Sequence, residues 1–300
     1  MSQVQVQADK GPETELPDSE KRSGILGYLL LLPASIWLAL FFVVPLFSLI
    51  STSLYDPSGS LETGYQMTWQ VSNYTGVCQD YSEQFLRSML YASLATVTCI
   101  MLGYPLAYAI AFKAGRWKNL MLVAVIAPFF TSFLIRTLSW QLILADQGWL
   151  VETLKFLHIM GQDGHLLATP IAVVTGITYN FLPFMVLPLY ASLEKIDPRL
   201  LEAGEDLYAS PFTTFRTVTL PLSLPGLVGG TLLTFIPAAG DYINAQLLGN
   251  TQTQMVGNVI QKLFDGGSYP DASALSVTLM AVIVVLVLIY VKRAGTEELL

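Results

Sequence analysis

The chain is punctuated by long runs that lack Asp, Glu, Lys and Arg. Ser23 to Tyr55 has none over 33 residues, Ser88 to Phe112 none over 25, and Gly164 to Leu193 none over 30. Asn119 to Ile135 and Thr137 to Ala145 form one run split only by Arg136. Thr217 to Gly240 and Tyr242 to Gln261 flank a lone acid, Asp241, and Ala272 to Val291 closes the series with 20 residues. A helix needs about 20 apolar residues to cross ~30 Å of hydrocarbon. Lipid offers no partners to backbone N–H and C=O groups, so such runs fold as helices, and the alternating pattern of a barrel strand is absent. The pattern predicts an all-α integral membrane protein with six transmembrane helices, at 25–52, 86–112, 119–145, 168–193, 220–245 and 273–292.

Lys and Arg then orient the chain, because cytoplasmic segments carry an excess of both. With both termini inside, the cytoplasmic side holds Lys10, Lys21, Arg22, Lys113, Arg116, Lys118, Lys195, Arg199, Arg216, Lys292 and Arg293, which is 11 of the 15 basic residues. Arg87, Lys155 and Lys262 fall outside, and Arg136 lies within a span. Residues 1–22 are polar and Pro-containing and read as a disordered cytoplasmic tail, with 294–300 as a second tail around a membrane-spanning core at 23–293. The apolar stretch after residue 22 is too long for a signal peptide and lacks a cleavage site, so the first span is expected to stay as an anchor. The outer loops are 53–85, 146–167 and 246–272, the first rich in Tyr, Ser and Gly and expected to form a small ordered cap. The inner side has a short basic turn at 113–118 and a long polar segment at 194–219.

Composition agrees: 53% of residues are hydrophobic and 12% charged, against roughly 25% charged in a soluble domain. The net charge of −7 resides mainly in tails and loops and points to no nucleic-acid partner. Cys78 and Cys99 fall in an outer loop and a span and are not expected to pair; His158 and His165 read as loop residues without metal partners. There is no GxxxxGK[ST] phosphate loop, no nucleophile–base pair and no metal constellation, so the chain itself is not expected to be an enzyme or to bind a cofactor.

The inner segment reads EKIDPRLLEAGEDLYASPFTTFRTVTLPLSLPG. Asp197 can cap a helix that Pro198 opens. Residues 199–208 are then amphipathic, with Leu200, Leu201 and Leu207 against Glu202, Glu205 and Asp206; Ser210-Pro211 breaks the helix, and a second piece runs on to Leu220-Pro221. A short helix across the cytoplasmic mouth suits a docking element as well as an ordinary connector. The segment resembles the EAA loop of ABC-importer permeases, E-A-A-x3-G-x9-I-x-L-P. Glu202, Ala203, Leu220 and Pro221 match, Val218 replaces isoleucine, Gly204 stands for the second alanine and Tyr208 for the glycine. The glycine serves a left-handed turn, which tyrosine adopts only at a cost, so the turn is expected to be rebuilt or shifted to Ala209-Ser210-Pro211. The stretch LLLLPASIWLALFFVVPLFSLISTSL resembles the first span of such permeases, and RSMLYASLATVTCIMLGYPLAYAIA the start of their conserved core. PFFTSFLIRTLSWQLIL, YNFLPFMVLPLYASLEKID and LLTFIPAAGDYINAQLLG are similar to the spermidine/putrescine branch, in its first permease subunit, and the likeness covers about residues 25–293.

The resemblance implies a type I ABC-importer permease fold with a cytoplasmic EAA coupling helix. It implies a second, similar permease subunit, a dimer of a cytosolic ATPase that carries ATP and Mg, and an extracytoplasmic binding protein. It also implies a place in a bacterial inner membrane and a cargo such as spermidine or putrescine. Glu202, Ala203, Gly204 and Asp206 would then dock the ATPase. A different solute, or a secondary transporter working alone, is the competing function.

Charges inside the spans carry the remaining chemistry. On a straight third span Arg136 would lie ~25 Å up from Asn119, and Asp241 ~30 Å up from Pro221, at similar depth. A charge there costs at least ~2.5–3.5 kcal/mol unless paired or facing a cavity. Arg136 therefore either pairs with Asp241 or with Asp146 at the outer end of the span, or those acids face the path and attract cationic amines. Trp140, one turn after Arg136, with Tyr242 and Tyr179, could present ring faces to ammonium groups or sit as ordinary interfacial aromatics. Prolines and glycines between Pro170 and Gly240 offer kinks and close helix approach.

Overall fold

The computed structural model describes residues 20–60 and 62–294. They are helical almost throughout, the exceptions to coil and turn being two isolated antiparallel bridges, Tyr55 with Met67 and Ser60 with Gly64. The chain divides into two units, residues 1–49 and 50–300. The first holds most of helix α1 (Leu29–Thr52), long and apolar enough to cross a membrane. A π-turn at Ala39–Val43 interrupts it just before Pro45, where a proline ring would clash with the carbonyl four residues back. Most of the predicted tail 1–22 lies outside the described residues, as do 295–300.

The second unit contains α2 (Ser72–Asp80), α3 (Ser82–Lys113), α4 (Lys118–Ile126), α5 (Phe133–Leu144), α6 (Trp149–Phe156), α7 (Pro170–Leu193) and α8 (Pro198–Asp206). It continues with α9 (Pro211–Ala239), α10 (Ile243–Leu248), α11 (Val256–Asp265) and α12 (Tyr269–Ala294). Among the described residues five helices are long and apolar enough to span: α1, α3, α7, α9 and α12. A sixth span arises only if two bent segments, Gly115–Phe130 and Phe133–Phe156, count as one; they meet at 97°. The straight third span expected from the sequence is thus corrected. Pro128 opens a 3-10 turn at Ala127–Phe130, and Thr131 and Ser132 then go extended. Thr131 closes the turn by donating from N and Oγ1 to the Pro128 carbonyl, the latter at 2.7 Å.

The fifth span is also shifted. Instead of 220–245 it runs from Pro211 to Ala239, because a π-turn at Phe215–Thr219 carries the helix into Pro221 without a break. It stops before Asp241. The expected outer loops contain helices: α6 lies in 146–167, and α11 in 246–272.

Helices α3, α7 and α9 form the centre of this unit. Their shared core includes Tyr91, Ala92 and Ala95 of α3, Val173, Ile177 and Phe181 of α7, and Ala238 and Ala239 of α9. A second cluster joins Cys99, Tyr104 and Ile110 to Met185, Leu189 and Leu193. Small side chains set the spacing: a Cβ on Gly226 of α9 would stand 2.5 Å from the Pro188 carbonyl oxygen of α7, far inside contact distance. Tyr104 Oη and Ser223 Oγ bridge α3 and α9 at 2.7 Å. Hydroxyls elsewhere in the spans turn back on their own helix, as Thr178 Oγ1 does to the Val174 carbonyl at 2.7 Å and Ser276 Oγ to that of Ala272 at 2.7 Å, so they need no partner in lipid. Both cysteines are free, Cys99 buried and Cys78 exposed.

The segment after α1 is an ordered cap, as expected. Asn73 Nδ2 donates to the carbonyls of Ser53 and Tyr55 at 3.0 and 2.9 Å, Tyr65 Oη donates to the Gly267 carbonyl, and the Tyr65 and Tyr269 rings meet edge-on at 5.7 Å.

Candidate functional site

The inner segment folds as its residues dictate. Asp197 Oδ1 accepts from Arg199 N at 3.0 Å and opens α8. Ser210 Oγ accepts from Thr213 N at 3.2 Å and caps the start of α9, with Pro211 in the first turn. Between them the chain reverses at Tyr208, whose φ is +57°. Leu207 N donates to the Ala203 carbonyl at 3.2 Å, an ordinary helical bond, and Ala209 N to that of Gly204 at 3.0 Å, the six-to-one bond of a Schellman-type helix end whose left-handed residue is normally glycine. The left-handed conformation of the family turn is therefore kept on a tyrosine, at a cost of roughly 1–2 kcal/mol; it is neither rebuilt nor moved to 209–211.

Gly204 has a local reason. A Cβ there would lie 2.8 Å from Thr214 Oγ1 and 3.1 Å from its Cγ2. Thr214 is buried and β-branched, so it has little room to yield. The missing methyl lets α8 lie directly on the first turn of α9. Glu202, Ala203 and Asp206 are exposed. Beyond them the tip shows Leu207 at 80%, Tyr208 at 98% and Phe212 at 72% exposure. At the C-terminal end of α7, Lys118 Nζ and Glu194 Oε1 pair at 2.5 Å. The Lys118 hydrogen bond, seconded by Tyr190, holds the Glu194 carboxyl below its ordinary range.

A second polar site lies where α5, α7 and α10 meet. Asn244, fully buried, donates from N and Nδ2 to Asp241 Oδ1 and Oδ2 at 3.0 and 2.5 Å. Its Oδ1 accepts from Asn180 Nδ2 at 3.1 Å and from Thr137 Oγ1 at 3.3 Å, and Asn180 Nδ2 also reaches Thr137 Oγ1 at 3.1 Å. Four residues from three parts of the chain form one network. Asp241 thus caps α10 with a buried carboxylate. Asp241 stands out in the sequence as a lone acid between charge-free runs; Thr137, Asn180 and Asn244 do not, although an asparagine in a charge-free run is itself a signal.

Arg136 enters neither expected pair. Among the described residues the ion pairs are Arg87 with Glu83 and Lys118 with Glu194, and none joins Arg136 to Asp241 or Asp146. Its guanidinium lies 5.8 Å from the Phe129 ring and 5.6 Å from the Phe133 ring, with Nε and Nη1 buried and without hydrogen-bond partners. The depth estimate behind the pairing fails as well, since the 97° bend ends the climb of the third span at Phe130. Of the aromatic candidates the fold brings two together: the Trp140 and Tyr179 rings meet edge-on at 5.4 Å. Tyr242 is partly exposed and gives its carbonyl to Asn258 Nδ2 at 2.8 Å, while Asp146 is exposed on the turn after α5.

Residues 22–294 match the family of binding-protein-dependent transport system inner membrane components. The chain belongs to that family. This permease is 37% identical over 256 residues to the spermidine/putrescine transport system permease protein PotB of Escherichia coli (strain K12), covering 85% of this chain and 92% of that one. The Haemophilus influenzae protein of the same name is 35% identical over 258 residues, 85% of this chain and 90% of its own. The inner membrane ABC transporter permease protein YdcU of E. coli is 34% identical over 229 residues, 72% of each chain. Among solved structures, a bacterial ABC transporter involved in the import of the acidic polysaccharide alginate superposes with a TM-score of 0.69 over 92% of this chain and 97% of that one, at 19% identity. That likeness fixes the fold alone, as all-helical. The family match and the identity to the curated permeases carry the role: this is a multi-pass inner-membrane ABC-importer permease, a transport component rather than a catalyst.

Proposed function

We propose that this permease imports polyamines, spermidine or putrescine, as one of two membrane subunits driven by a cytosolic ATPase pair and supplied by an extracytoplasmic binding protein. The observation that carries the substrate is the 37% identity to a spermidine/putrescine permease along nearly the whole of both chains. ATP and Mg belong to the ATPase; this chain has no phosphate loop of its own. Both termini face the cytoplasm, an orientation supported by the 11 basic residues it places inside.

The coupling loop docks the ATPase through Glu202, Ala203, Gly204 and Asp206, with the tight Gly204–Thr214 contact passing motion from α8 into α9. Helix α9 in turn packs on α7 and α3, so a tilt at its inner end reaches the centre of the bundle. Access then alternates between inward-open and outward-open states. The Trp140–Tyr179 ring pair and Tyr242 line the path, ring faces being suited to ammonium groups. Exposed Asp146 draws cations to the outer mouth. Asp241, engaged by Asn244, holds the path's wall rather than the cargo, and the Arg136 charge stands behind its two phenyl rings.

The test is ATP hydrolysis by the purified assembly in lipid, titrated with spermidine-loaded binding protein. Stimulation by spermidine or putrescine, and not by sugars or amino acids, is expected; stimulation by another solute alone overturns the polyamine assignment, and transport by this chain without an ATPase overturns the importer. Glu202→Ala should leave the protein in the membrane and lower uptake per ATP hydrolysed.

A further inference from the structure

Tyr208 breaks two rules at once. It is a non-glycine residue with φ of +57° in the left-handed region, and its side chain is 98% exposed, so nothing among the described residues repays the strain. Its neighbours repeat the second anomaly: Leu207 and Phe212 are 80% and 72% exposed. All three stand on a tip whose base is well held, by the Ser210 cap at 3.2 Å, the Ala209 N to Gly204 carbonyl bond at 3.0 Å and the Gly204–Thr214 contact. A rigid turn presenting a large, undesolvated aromatic is the form of an interface anchor rather than of a loose loop.

We infer that Tyr208, with Leu207 and Phe212, is an aromatic anchor that seats in an apolar cleft of the cytosolic ATPase, a contact that glycine at this turn could not make. The inference rests on the reading of α8 as the ATPase-docking helix and adds to it the residue that holds the partner. The exposed acids beside the tip, Glu202 and Asp206, enter no ion pair among the described residues, so the cleft is expected to carry basic side chains at its rim. The same acids argue against the competing occupant, the inner leaflet, whose anionic headgroups repel them. Tyrosine also suits the task because it offers a large contact area at small cost in side-chain freedom.

The experiment titrates the ATPase subunit onto the assembled membrane subunits in nanodiscs. Tyr208→Gly should leave the thermal unfolding of the membrane subunit unchanged or raised, because it removes the strain, and should weaken ATPase binding about thirtyfold, the size of an interface hot spot. Tyr208→Phe should keep the affinity; Tyr208→Asn, which tolerates the left-handed turn, should lose it. If Tyr208→Gly and Tyr208→Asn both bind within twofold of the parent while Glu202→Arg loses the ATPase, the anchor is overturned and the docking helix stands. If Glu202→Arg also binds normally, the docking helix falls with it. A benzoylphenylalanine photo-crosslinker placed at position 208 should capture the ATPase subunit; capture of phospholipid alone overturns the proposal.

Discussion

Asn244→Ala removes the centre of the buried network while leaving the helices intact. The side chain makes three polar contacts: to Asp241 Oδ2 at 2.5 Å, and from Asn180 Nδ2 and Thr137 Oγ1 at 3.1 and 3.3 Å. A hydrogen bond to a carboxylate contributes about 1.5–3 kcal/mol, and an interhelical polar contact in a membrane protein averages ~0.6 kcal/mol. Two losses are softened. Thr137 Oγ1 keeps the Phe133 carbonyl at 3.1 Å, and Asn180 Nδ2 keeps Thr137. Asp241 keeps the Asn244 backbone N–H at 3.0 Å but surrenders its shorter donor. The expected destabilisation is therefore about 2–4 kcal/mol, read as a shift of the SDS-titration unfolding curve of the purified protein in mixed micelles. A double-mutant cycle with Asp241→Ala isolates the pair, and its coupling should be about 1.5–3 kcal/mol. A loss below ~1 kcal/mol, or additive single effects, would refute the claim that Asn244 holds Asp241 and ties α10 to α5 and α7.

Gly204→Ala puts a methyl 2.8 Å from Thr214 Oγ1, so overpacking of about 1–3 kcal/mol meets a helix-propensity gain of about 0.8–1 kcal/mol. Amide exchange in α8 should quicken, Thr214→Ala in the same chain should restore it, and slower exchange in the single variant would show the contact is slack. Arg136→Met exchanges two buried unpaired donors for an apolar chain at the expense of two ring contacts; unfolding of the isolated subunit should be unchanged or harder by up to ~2 kcal/mol, and a loss above ~1 kcal/mol would place a missed partner within this chain. The Glu194 carboxyl is depressed first by Lys118. The ion pair should thus persist through the ordinary carboxylate range and open only as pH falls through the depressed midpoint. Lys118→Met should raise that midpoint in a carbon-13 NMR titration, and an unmoved midpoint would deny the pair in solution.

The spans were legible because lipid excludes charge so strongly that absence alone is a signal. The run Ser88 to Phe112 became α3 and Gly164 to Leu193 became α7, with Thr169 Oγ1 accepting from Ala172 N at 3.3 Å at its start. What failed was continuity. Hydropathy is the same on both sides of Thr131-Ser132, so composition cannot report a 97° bend; Pro128 and the two hydroxyl residues after it could have. The fifth span failed the other way. Pro221 looked like a boundary, yet the π-turn at Phe215–Thr219 takes up the proline and the helix starts at Pro211. The polar network was hidden by distance, since Thr137, Asn180 and Asn244 are 43 to 107 positions apart and only the packing of α5, α7 and α10 gathers them.

The two departures from the EAA pattern looked independent in the sequence, and the structure joins them in one turn. The Gly204 carbonyl accepts the Ala209 N–H at 3.0 Å, and that bond closes only if the residue between, Tyr208, is left-handed. Gly204 lets its helix rest on Thr214, which fixes where that carbonyl points. A looser seat would let the turn relax and Tyr208 leave its costly conformation. Removing a methyl at 204 and adding a phenol at 208 are in this sense one change: the first makes the turn rigid enough to impose the strain that the second carries. A local rule broken against such firm support belongs to a contact, and at this turn Leu207, Tyr208 and Phe212 stand exposed together.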